Sequence, residues 1–371
     1  MVDLKGQYNK IKSEVDTEIQ KVIENTSFIN GPKVKEFSEN LSQYLGGISV
    51  VPCANGTDAL QIALMALELT PGDEVILPVH TYVATAEVIA LLKLKPVFVD
   101  VHPDFFTIDV RQIESKITKK TKVIIPVHLY GQCADMEPIM NIANKYNLFV
   151  VEDTAQAIGA EYSFSDGRKF MAGTIGDIGT TSFFPSKNLG CFGDGGAMFV
   201  NNNKLANKCN MIANHGQRIK YHHDIVGCNS RLDSIQAAVL DVKLKYLNQY
   251  CSARQNAATV YDNLLKDIDG IITPKLFNIS SHVYHQYTLM LDESINRSAL
   301  QDYLKDRNIP SMIYYPVPLH KQVAYIQAEN QDSYPVTEKL SKTVLSLPIH
   351  TEITLKEQEY IVSTIKEFLK M

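Results

Sequence analysis

The sequence lacks the features that define several large classes of protein. No apolar run among its 371 residues approaches the ~20 residues that a membrane-spanning helix needs. It has no dense block of Lys and Arg, and its 36 basic and 41 acidic residues give a net charge of -5, so a nucleic-acid-binding surface is not expected. The first residues lack a basic stretch followed by an apolar one, so we expect no secretion signal and a cytoplasmic protein.

Cysteine-based and nucleotide-binding motifs are also missing. The six cysteines are scattered and form no C-x-x-C pair, which argues against a disulfide framework and against a zinc site. The adjacent His222 and His223 have no carboxylate at useful helical spacing, so no metal is predicted. No G-x-G-x-x-G follows an early strand, which argues against an NAD-dependent sugar enzyme.

Between residues 50 and 200, short β-rich segments alternate with helical ones. The pattern predicts strands at 74–77, 96–100, 122–128 and 148–153, and helical segments at 59–67, 84–94, 113–117 and 136–146. Strands this apolar, each followed by a helix, predict an α/β fold with a mostly parallel central sheet that is flanked by helices. Ligands of such sheets bind beyond the carboxyl ends of the strands, which is where Asp153 falls.

The remainder of the chain predicts a smaller α+β domain. A long helix at 234–265 leads into this domain, for which we expect helices at 298–307 and 355–369 and strands at 284–291 and 309–315. A helix is also expected at 7–24, in the N-terminal part of the chain. The predicted boundary lies near residue 245. It separates a large domain, 1–245, from a small C-terminal domain, 246–371.

Two local features suggest where a ligand binds. Asn55 to Leu60 forms a small-residue turn at the start of a helix, where free amides and the helix dipole suit a phosphate. An ordinary helix cap by Thr57 or Asp58 explains the same residues. Asp153 follows an apolar strand and could accept a hydrogen bond from a protonated ring nitrogen, bind a metal, orient a histidine or cap the next helix.

Two further segments carry candidate reactive and anion-binding groups. Lys187 lies in an apolar, glycine-flanked segment, and desolvation lowers the pKa of a lysine and makes its amine nucleophilic. Arg231, near Asn229 at a turn, could hold an anion through two hydrogen bonds. A structural ion pair with Asp233 is the alternative reading of Arg231.

Together these features describe the binding site of one cofactor. Pyridoxal 5′-phosphate (PLP) needs an anion site, a partner for its ring nitrogen and a lysine for its aldehyde. The segments N-G-T-D-A-L, V-E-D-T-A-Q, S-F-F-P-S-K and N-S-R-L-D resemble those of the DegT/DnrJ/EryC1/StrS sugar aminotransferases, and the resemblance covers almost the whole chain. It implies PLP-dependent transferase fold type I and a homodimer with shared active sites.

The resemblance also implies individual roles. Lys187 is the expected lysine that joins the cofactor and moves a proton during catalysis, and Asp153 is the expected partner that keeps the pyridine nitrogen protonated. Gly56, Thr57 and Ser182 resemble the phosphate ligands. Further cofactor contacts are expected from Gln156 at the phenolic oxygen, Tyr82 stacked on the ring, and Asn229 given by the neighbouring subunit. Expected substrate contacts are Arg231, Tyr314, Tyr315 and His320.

The resemblance extends to the reaction. Related sugar dehydratases carry a histidine in place of the lysine, so Lys187 favours transamination, with L-glutamate as the expected amino donor. Residues 129–135, 215–217, 221–223 and 315–319 look most like enzymes that aminate C3 of UDP-2-acetamido-2-deoxy-3-oxo-D-glucuronate for bacterial surface polysaccharide, including O-antigen. Tyr314 departs from the histidine that is frequent there. A dTDP-3-keto-6-deoxyhexose aminotransferase and a non-catalytic PLP-binding regulator are the alternatives.

Borohydride reduction of the cofactor-bound protein should attach the cofactor permanently to Lys187, because reduction converts the bond between the lysine and the aldehyde into a stable amine. Peptide mapping by mass spectrometry identifies the labelled residue, with Lys187→Ala as the control. A label on another lysine, or on none, contradicts the assignment.

Overall fold

A computed structural model of the chain, which describes residues 1–325 and 333–371, contains a seven-stranded central sheet. Its strands are β1 (Ser49–Cys53), β2 (Glu74–Pro78), β3 (Lys95–Val99), β4 (Thr121–Ile124), β5 (Phe149–Asp153), β8 (Ile178–Ser182) and β9 (Gly196–Val200). They lie in the order β1-β9-β8-β5-β4-β2-β3. Only β9 runs against the others, so the predicted mostly parallel sheet is confirmed.

Helices cover both faces of this sheet. The helices of the first 244 residues are α1 (Leu4–Glu24), α2 (Pro32–Tyr44), α3 (Gly56–Ala66), α4 (Ala84–Leu91), α5 (Val110–Ile113), α6 (Met136–Tyr146), α7 (Asn203–Ala213) and α8 (Ser234–Leu244). Successive strand residues enter different cores, because side chains alternate across a strand. Ile124 and Val150 belong to one buried cluster, whereas Val123 and Val151 belong to the other. Burial on both faces explains why these strands read as continuous apolar runs.

The C-terminal residues form a second core around a small antiparallel sheet. Its strands are β12 (Ile271–Ile272), β13 (Tyr287–Leu291) and β14 (Val344–Leu347). The helices of this part are α9 (Leu247–Leu265), α10 (Arg297–Asp306), α11 (Pro335–Thr343) and α12 (Leu355–Leu369). Leu289, Leu300 and Ile365 are fully buried in this core. The domain boundary near residue 245 stays a prediction.

Two hairpins complete the described strands. The first pairs β6 (Glu161–Ser163) with β7 (Lys169–Met171), and the second pairs β10 (Gln217–Ile219) with β11 (His222–His223).

Several predicted elements have different bounds in the structure, such as the strand expected at 122–128, which ends at Ile124. Three elements differ more strongly. The single helix expected at 234–265 is two helices, α8 and α9, because α8 packs on α1 and α2 whereas α9 packs on α12. The prediction of a strand at 309–315 is wrong. In this segment only Met312 forms a bridge, to Ser346, and Pro310 has no amide hydrogen to donate to a neighbouring strand. The helical turn expected at 113–117 begins earlier, as α5, and continues as a short 3-10 turn over Glu114–Lys116.

Candidate active site

A cavity of about 620 Å³ lies beyond the carboxyl ends of β5 and β8. Nine of the twelve residues predicted from the sequence line it: Gly56, Thr57, Tyr82, Asp153, Gln156, Ser182, Lys187, Tyr314 and Tyr315. The sheet side of the cavity comes from loops that follow parallel strands, and the opposite side comes from the C-terminal part of the chain. Residues that are distant in sequence therefore share one cavity.

The start of α3 forms an anion cradle. Asn55 caps this helix, since its side-chain oxygen accepts a hydrogen bond from the amide of Asp58 at 2.8 Å, so Thr57 and Asp58 are not the cap. The first backbone hydrogen bond of α3 runs from the amide of Ala59, which leaves the amides of Gly56 and Thr57 free to bind an anion. A Cβ atom on Gly56 would lie 2.6 Å from the Cβ of Ser182, so only glycine lets Ser182 reach the cradle.

Asp153 ends β5 and is held in a fixed orientation. One carboxylate oxygen accepts a hydrogen bond from Thr85 Oγ1 at 2.9 Å, and the other accepts one from the amide of Ala155 at 3.2 Å. Its side chain is buried at the cavity wall. The described residues contain no group of three or more side chains that could hold a metal ion. The carboxylate is placed where it can accept a hydrogen bond from a protonated ring nitrogen of a ligand in the cavity, and this role of Asp153 stays a prediction.

The neighbouring Glu152 points to the other side of the strand and supports this edge of the sheet. Its carboxylate accepts hydrogen bonds from the amides of Gly173, Ile175 and Gly176 at 3.0, 2.7 and 2.6 Å. It also pairs with His128 Nε2 at 2.8 Å, and His128 Nδ1 accepts from the amide of Ala134, so the hydrogen lies on Nε2. This fully buried network was missed by sequence reasoning, which treated Glu152 as part of a strand.

Lys187 lies in the loop between β8 and β9, half-buried in the cavity wall. Desolvation by the surrounding protein lowers its pKa to about 8, although the negative charge of Asp153 acts in the opposite direction. The loop is anchored on each side of the lysine: the Lys187 amide donates to the carbonyl of Phe184 at 2.8 Å, and Asn188 Nδ2 donates to the carbonyl of Val283 at 3.0 Å. A lysine with this pKa offers a large fraction of neutral amine near pH 8.

The C-terminal part supplies the facing wall. Tyr315 accepts a hydrogen bond from Gln156 Nε2 at 3.1 Å, and Gln156 Oε1 accepts one from the amide of Tyr130 at 2.7 Å. Burial raises the pKa of Tyr315, so its phenol stays protonated at neutral pH. His285 and Gln286 also line the cavity and were missed, because no motif marks them in the sequence.

The other three predicted residues do not line the cavity of this chain. Asn229 bridges to Asn214, and Arg231 Nη1 contacts the side-chain oxygen of Asn214 at 3.4 Å, so no described contact supports the alternative pairing with Asp233. His320 Nε2 lies 3.2 Å from a carboxylate oxygen of Glu338. A role for Asn229 and Arg231 in a neighbouring subunit's site stays a prediction, as does the role of His320.

The residues that are present fit PLP. The cradle that a Cβ on Gly56 would fill suits a phosphate, Asp153 suits a protonated ring nitrogen, and the Lys187 amine suits an aldehyde.

Comparison with curated proteins gives relatives that align along nearly their whole length. The chain is 47% identical to the UDP-2-acetamido-2-deoxy-3-oxo-D-glucuronate aminotransferase of Pseudomonas aeruginosa, over 94% of each chain. It is 43% identical to a pleiotropic regulatory protein of Geobacillus stearothermophilus, over 100% of this chain and 98% of the relative. It is 42% identical to the UDP-N-acetyl-3-dehydro-alpha-D-glucosamine 3-aminotransferase of Acidithiobacillus ferrooxidans, over 100% and 97%.

Solved structures agree. An aminotransferase from Brucella abortus superposes with a TM-score of 0.92 at 40% identity, over 99% of this chain and 98% of that one. The NtdA protein of Bacillus subtilis, solved with bound cofactor PMP, superposes with a TM-score of 0.90 at 34% identity, over 98% and 83%.

The fold and the site are those of a fold type I aminotransferase. Residues 9–366 match the DegT/DnrJ/EryC1/StrS aminotransferase family, and the chain belongs to that family. The predicted family and fold class are confirmed.

The reactivity of Lys187 in the cofactor-free protein should follow a pKa near 8 instead of the ordinary 10.5. At pH 8 about half of the Lys187 amines are then neutral, against roughly 1 in 300 for an ordinary lysine. Reductive methylation as a function of pH, measured by peptide mass spectrometry, reports this midpoint. Because the unfolded chain retains its proton up to 10.5, this group makes the folded state more stable as the pH rises from about 8 to 10.5.

Lys12 is the internal control, because hydrogen bonds to Asp16 and Tyr8 raise its pKa. Equal midpoints for Lys187 and Lys12 would contradict the desolvation of the Lys187 amine.

Proposed function

We propose that this protein transfers the amino group of L-glutamate to the C3 keto group of UDP-2-acetamido-2-deoxy-3-oxo-D-glucuronate, in the synthesis of bacterial surface polysaccharide such as O-antigen. Transamination is supported by one observation: a desolvated Lys187 and the carboxylate of Asp153 line the same cavity. The choice of sugar is supported by the Pseudomonas aeruginosa relative and by the segments 129–135 and 315–319.

The chain is a sugar aminotransferase, and its cofactor is PLP, as predicted from the sequence. When bound, PLP supplies an aldehyde for the lysine and a protonated ring that withdraws electrons from the reacting carbon. In the proposed roles, the amides of Gly56 and Thr57 and the hydroxyl of Ser182 bind its phosphate. Asp153 holds the proton of the ring nitrogen, and Lys187 Nζ moves the proton of the reacting carbon.

The remaining cavity residues orient the cofactor and the sugar in this proposal. Tyr82, whose side chain is largely exposed, offers its ring for stacking on the cofactor. Gln156 joins Tyr130 to Tyr315 through both ends of its amide, so its contact to the phenolic oxygen of the cofactor would come from a fixed group. Tyr314 and Tyr315 present hydroxyl groups to the sugar, and Tyr314 cannot become cationic at neutral pH as a histidine could.

The proposed ligands carry several negative charges, so their binding needs a cation in addition to Lys187. Among the described residues that line the cavity, Lys187 is the only lysine or arginine. The uronate carboxylate and the phosphate need further donors, which we assign to Arg231 and Asn229 of the partner subunit. Asn229 is exposed and Arg231 is partly exposed, so both are available to a second copy. We therefore propose a homodimer with shared active sites.

Asp153→Ala should abolish most of the transamination, because a ring nitrogen without its carboxylate partner loses its proton and withdraws electrons poorly. We expect a loss of about a hundredfold or more in the rate at which glutamate bleaches the cofactor's visible band, with cofactor still bound through the phosphate site. Lys187→Ala should likewise keep cofactor and lose turnover.

Asp177→Ala is the matched control for these two variants, since Asp177 is a partly buried aspartate that caps the amide of Val150 outside the cavity. Wild-type rates in Lys187→Ala, or only a small loss in Asp153→Ala, would show that these roles are misassigned.

A panel of UDP- and dTDP-linked 3-keto and 4-keto sugars, supplied with glutamate and analysed by mass spectrometry for the added amine, tests the substrate. We expect the UDP-linked 3-keto uronate to react fastest. Arg231→Ala should weaken this substrate at least tenfold more than its uncharged hexose analogue, because the variant removes the cation for the carboxylate.

Arg168→Ala is the control, since Arg168 is exposed and pairs with Asp166 away from the cavity. Equal losses for both sugars would favour a dTDP-3-keto-6-deoxyhexose as the substrate. A cofactor band that no amino donor changes would favour a PLP-binding regulator instead.

A further inference from the structure

The segment that carries Tyr314 and Tyr315 forms part of the cavity wall without regular secondary structure. Met312 forms a bridge to Ser346, and residues 313–318 then belong to no helix or strand of the described chain. Both tyrosines line the cavity. Because such a segment has no ladder of backbone hydrogen bonds to fix it, other groups must hold the two tyrosines in place.

A buried tyrosine and a buried histidine from loops of the large sheet provide that support. The hydroxyl of Tyr130 donates a hydrogen bond to the carbonyl of Tyr314, and His80 Nε2 lies 3.1 Å from the oxygen of the same hydroxyl. His80 and Tyr130 are 1% and 3% exposed, and neither lines the cavity. They therefore lie behind the wall and act on a ligand in the cavity only through other residues.

The direction of each hydrogen bond between these residues follows from the carbonyl at the end. A carbonyl oxygen can only accept, so the single hydrogen of the Tyr130 hydroxyl points to Tyr314. The Tyr130 oxygen must then accept from His80, which places the imidazole hydrogen on Nε2. The Nδ1 atom of His80 is buried without a partner in the described chain. Burial lowers the pKa of His80 to about 4, so the ring keeps this arrangement at neutral pH.

A second series of hydrogen bonds starts from the same tyrosine and reaches Tyr315. The backbone amide of Tyr130 donates to Gln156 Oε1 at 2.7 Å, and Gln156 Nε2 donates to the hydroxyl of Tyr315 at 3.1 Å. The ring of His80 also packs edge-on against the ring of Tyr315, with the ring centres 5.8 Å apart. Tyr130 therefore supports the backbone of Tyr314 through its hydroxyl and the side chain of Tyr315 through its amide.

The backbone of Tyr130 is held in a conformation that its side chain disfavours. Its φ angle of +59° lies in the left-handed region, where bulky residues are rare. The next residue, Gly131, packs so closely that a Cβ there would lie 2.8 Å from the amide nitrogen of Tyr284. Residues in such regions persist only where the surrounding structure fixes them, and they are concentrated at functional sites. The position of Tyr130 is therefore set by its surroundings.

We propose that His80 and Tyr130 are positioning residues that fix Tyr314 and Tyr315 for the binding of the keto sugar. The inference rests on the proposed function, in which these two tyrosines present hydroxyl groups to the sugar. The Tyr130 hydroxyl acts through the carbonyl of Tyr314, and His80 acts by directing the hydrogen of that hydroxyl towards the carbonyl. Neither residue exchanges a proton with a ligand.

The first test compares the two halves of the reaction in the holoenzyme. Tyr130→Phe removes the hydroxyl and leaves the amide that reaches Gln156, so the carbonyl of Tyr314 loses its donor. Contacts with the sugar stabilise the bound substrate and the transition state alike, so we expect the KM for the keto sugar to rise about tenfold while kcat stays within about twofold of wild type. The glutamate half-reaction should also stay within about twofold, because glutamate lacks the groups of the sugar.

Tyr261→Phe is the matched control, because Tyr261 is fully buried and its hydroxyl donates to the carbonyl of Pro348 at 2.9 Å in the C-terminal core. Each variant loses one hydrogen bond from a buried hydroxyl to a backbone carbonyl, so both should lower the unfolding temperature by about 2 °C. Only Tyr130→Phe should raise the KM for the sugar. Equal KM values in the two variants would overturn the positioning role.

A double-mutant cycle tests whether the two residues act as a unit. His80→Phe keeps a ring and removes the Nε2 donor, so it should also raise the KM for the sugar. His80→Gln places an amide donor at a similar reach and should keep the KM within about threefold of wild type. When combined with Tyr130→Phe, His80→Phe should cause no further loss, because the hydroxyl that it directs is gone. Losses that multiply in the double variant would overturn the role of His80.

Hydroxyl-radical labelling of the holoenzyme, mapped by peptide mass spectrometry, tests the segment without any substrate. Tyr130→Phe should raise the labelling of Tyr314 and Tyr315 about twofold, because the segment is held less firmly, and Tyr261→Phe should leave it unchanged. Wild-type labelling in Tyr130→Phe would overturn the inference. A wild-type enzyme that aminates no keto sugar would overturn the proposed function instead, and the labelling would still decide whether Tyr130 holds the segment.

Discussion

The desolvation of the Lys187 amine is the constraint on which the rest of the site depends. An ordinary lysine is protonated at neutral pH and cannot attack an aldehyde, whereas burial brings its pKa to about 8. Asp153 acts against this effect, because its negative charge favours the ammonium form. The site therefore needs a wall that shields the amine from water without removing the carboxylate. The C-terminal part of the chain contributes one wall of the cavity, where His285 and Tyr315 lie together with Lys187.

Close backbone approach makes this wall possible. Glycine at position 56 lets β8 reach the start of α3, and glycine at 131 lets a loop of the large sheet lie against Tyr284 and His285. Glu152 adds rigidity behind the site, since its buried carboxylate accepts three backbone amides and the Nε2 hydrogen of His128. A buried carboxylate is stable only when it is compensated in this way. Asp153, the next residue along β5, thus projects from a firmly held strand.

The cavity offers few positive charges to the anionic ligands that are proposed to bind in it. Phosphate, carboxylate and diphosphate groups would all enter a cavity whose described lining has Lys187 as its single lysine or arginine. Backbone amides at the start of α3 account for one anion, but amides alone are poor partners for a uronate. A shared site between two copies, with Arg231 and Asn229 supplied across the interface, is consistent with this deficit.

The described helices contain no segment that is long and apolar enough to cross a membrane.

The sequence by itself determined the class of fold and most of the site, because buried parallel strands and a glycine-flanked lysine leave local patterns. It located Lys187, Asp153 and the cradle at Gly56, and the motif resemblance supplied Tyr314 and Tyr315. Only the tertiary structure decided which histidine lines the cavity, that α8 and α9 are separate helices, and that β9 runs against its neighbours. Those outcomes depend on contacts between segments that are not adjacent in the sequence or on packing against different cores. The spacing of residues within one segment of the sequence contains no information about such contacts or such packing.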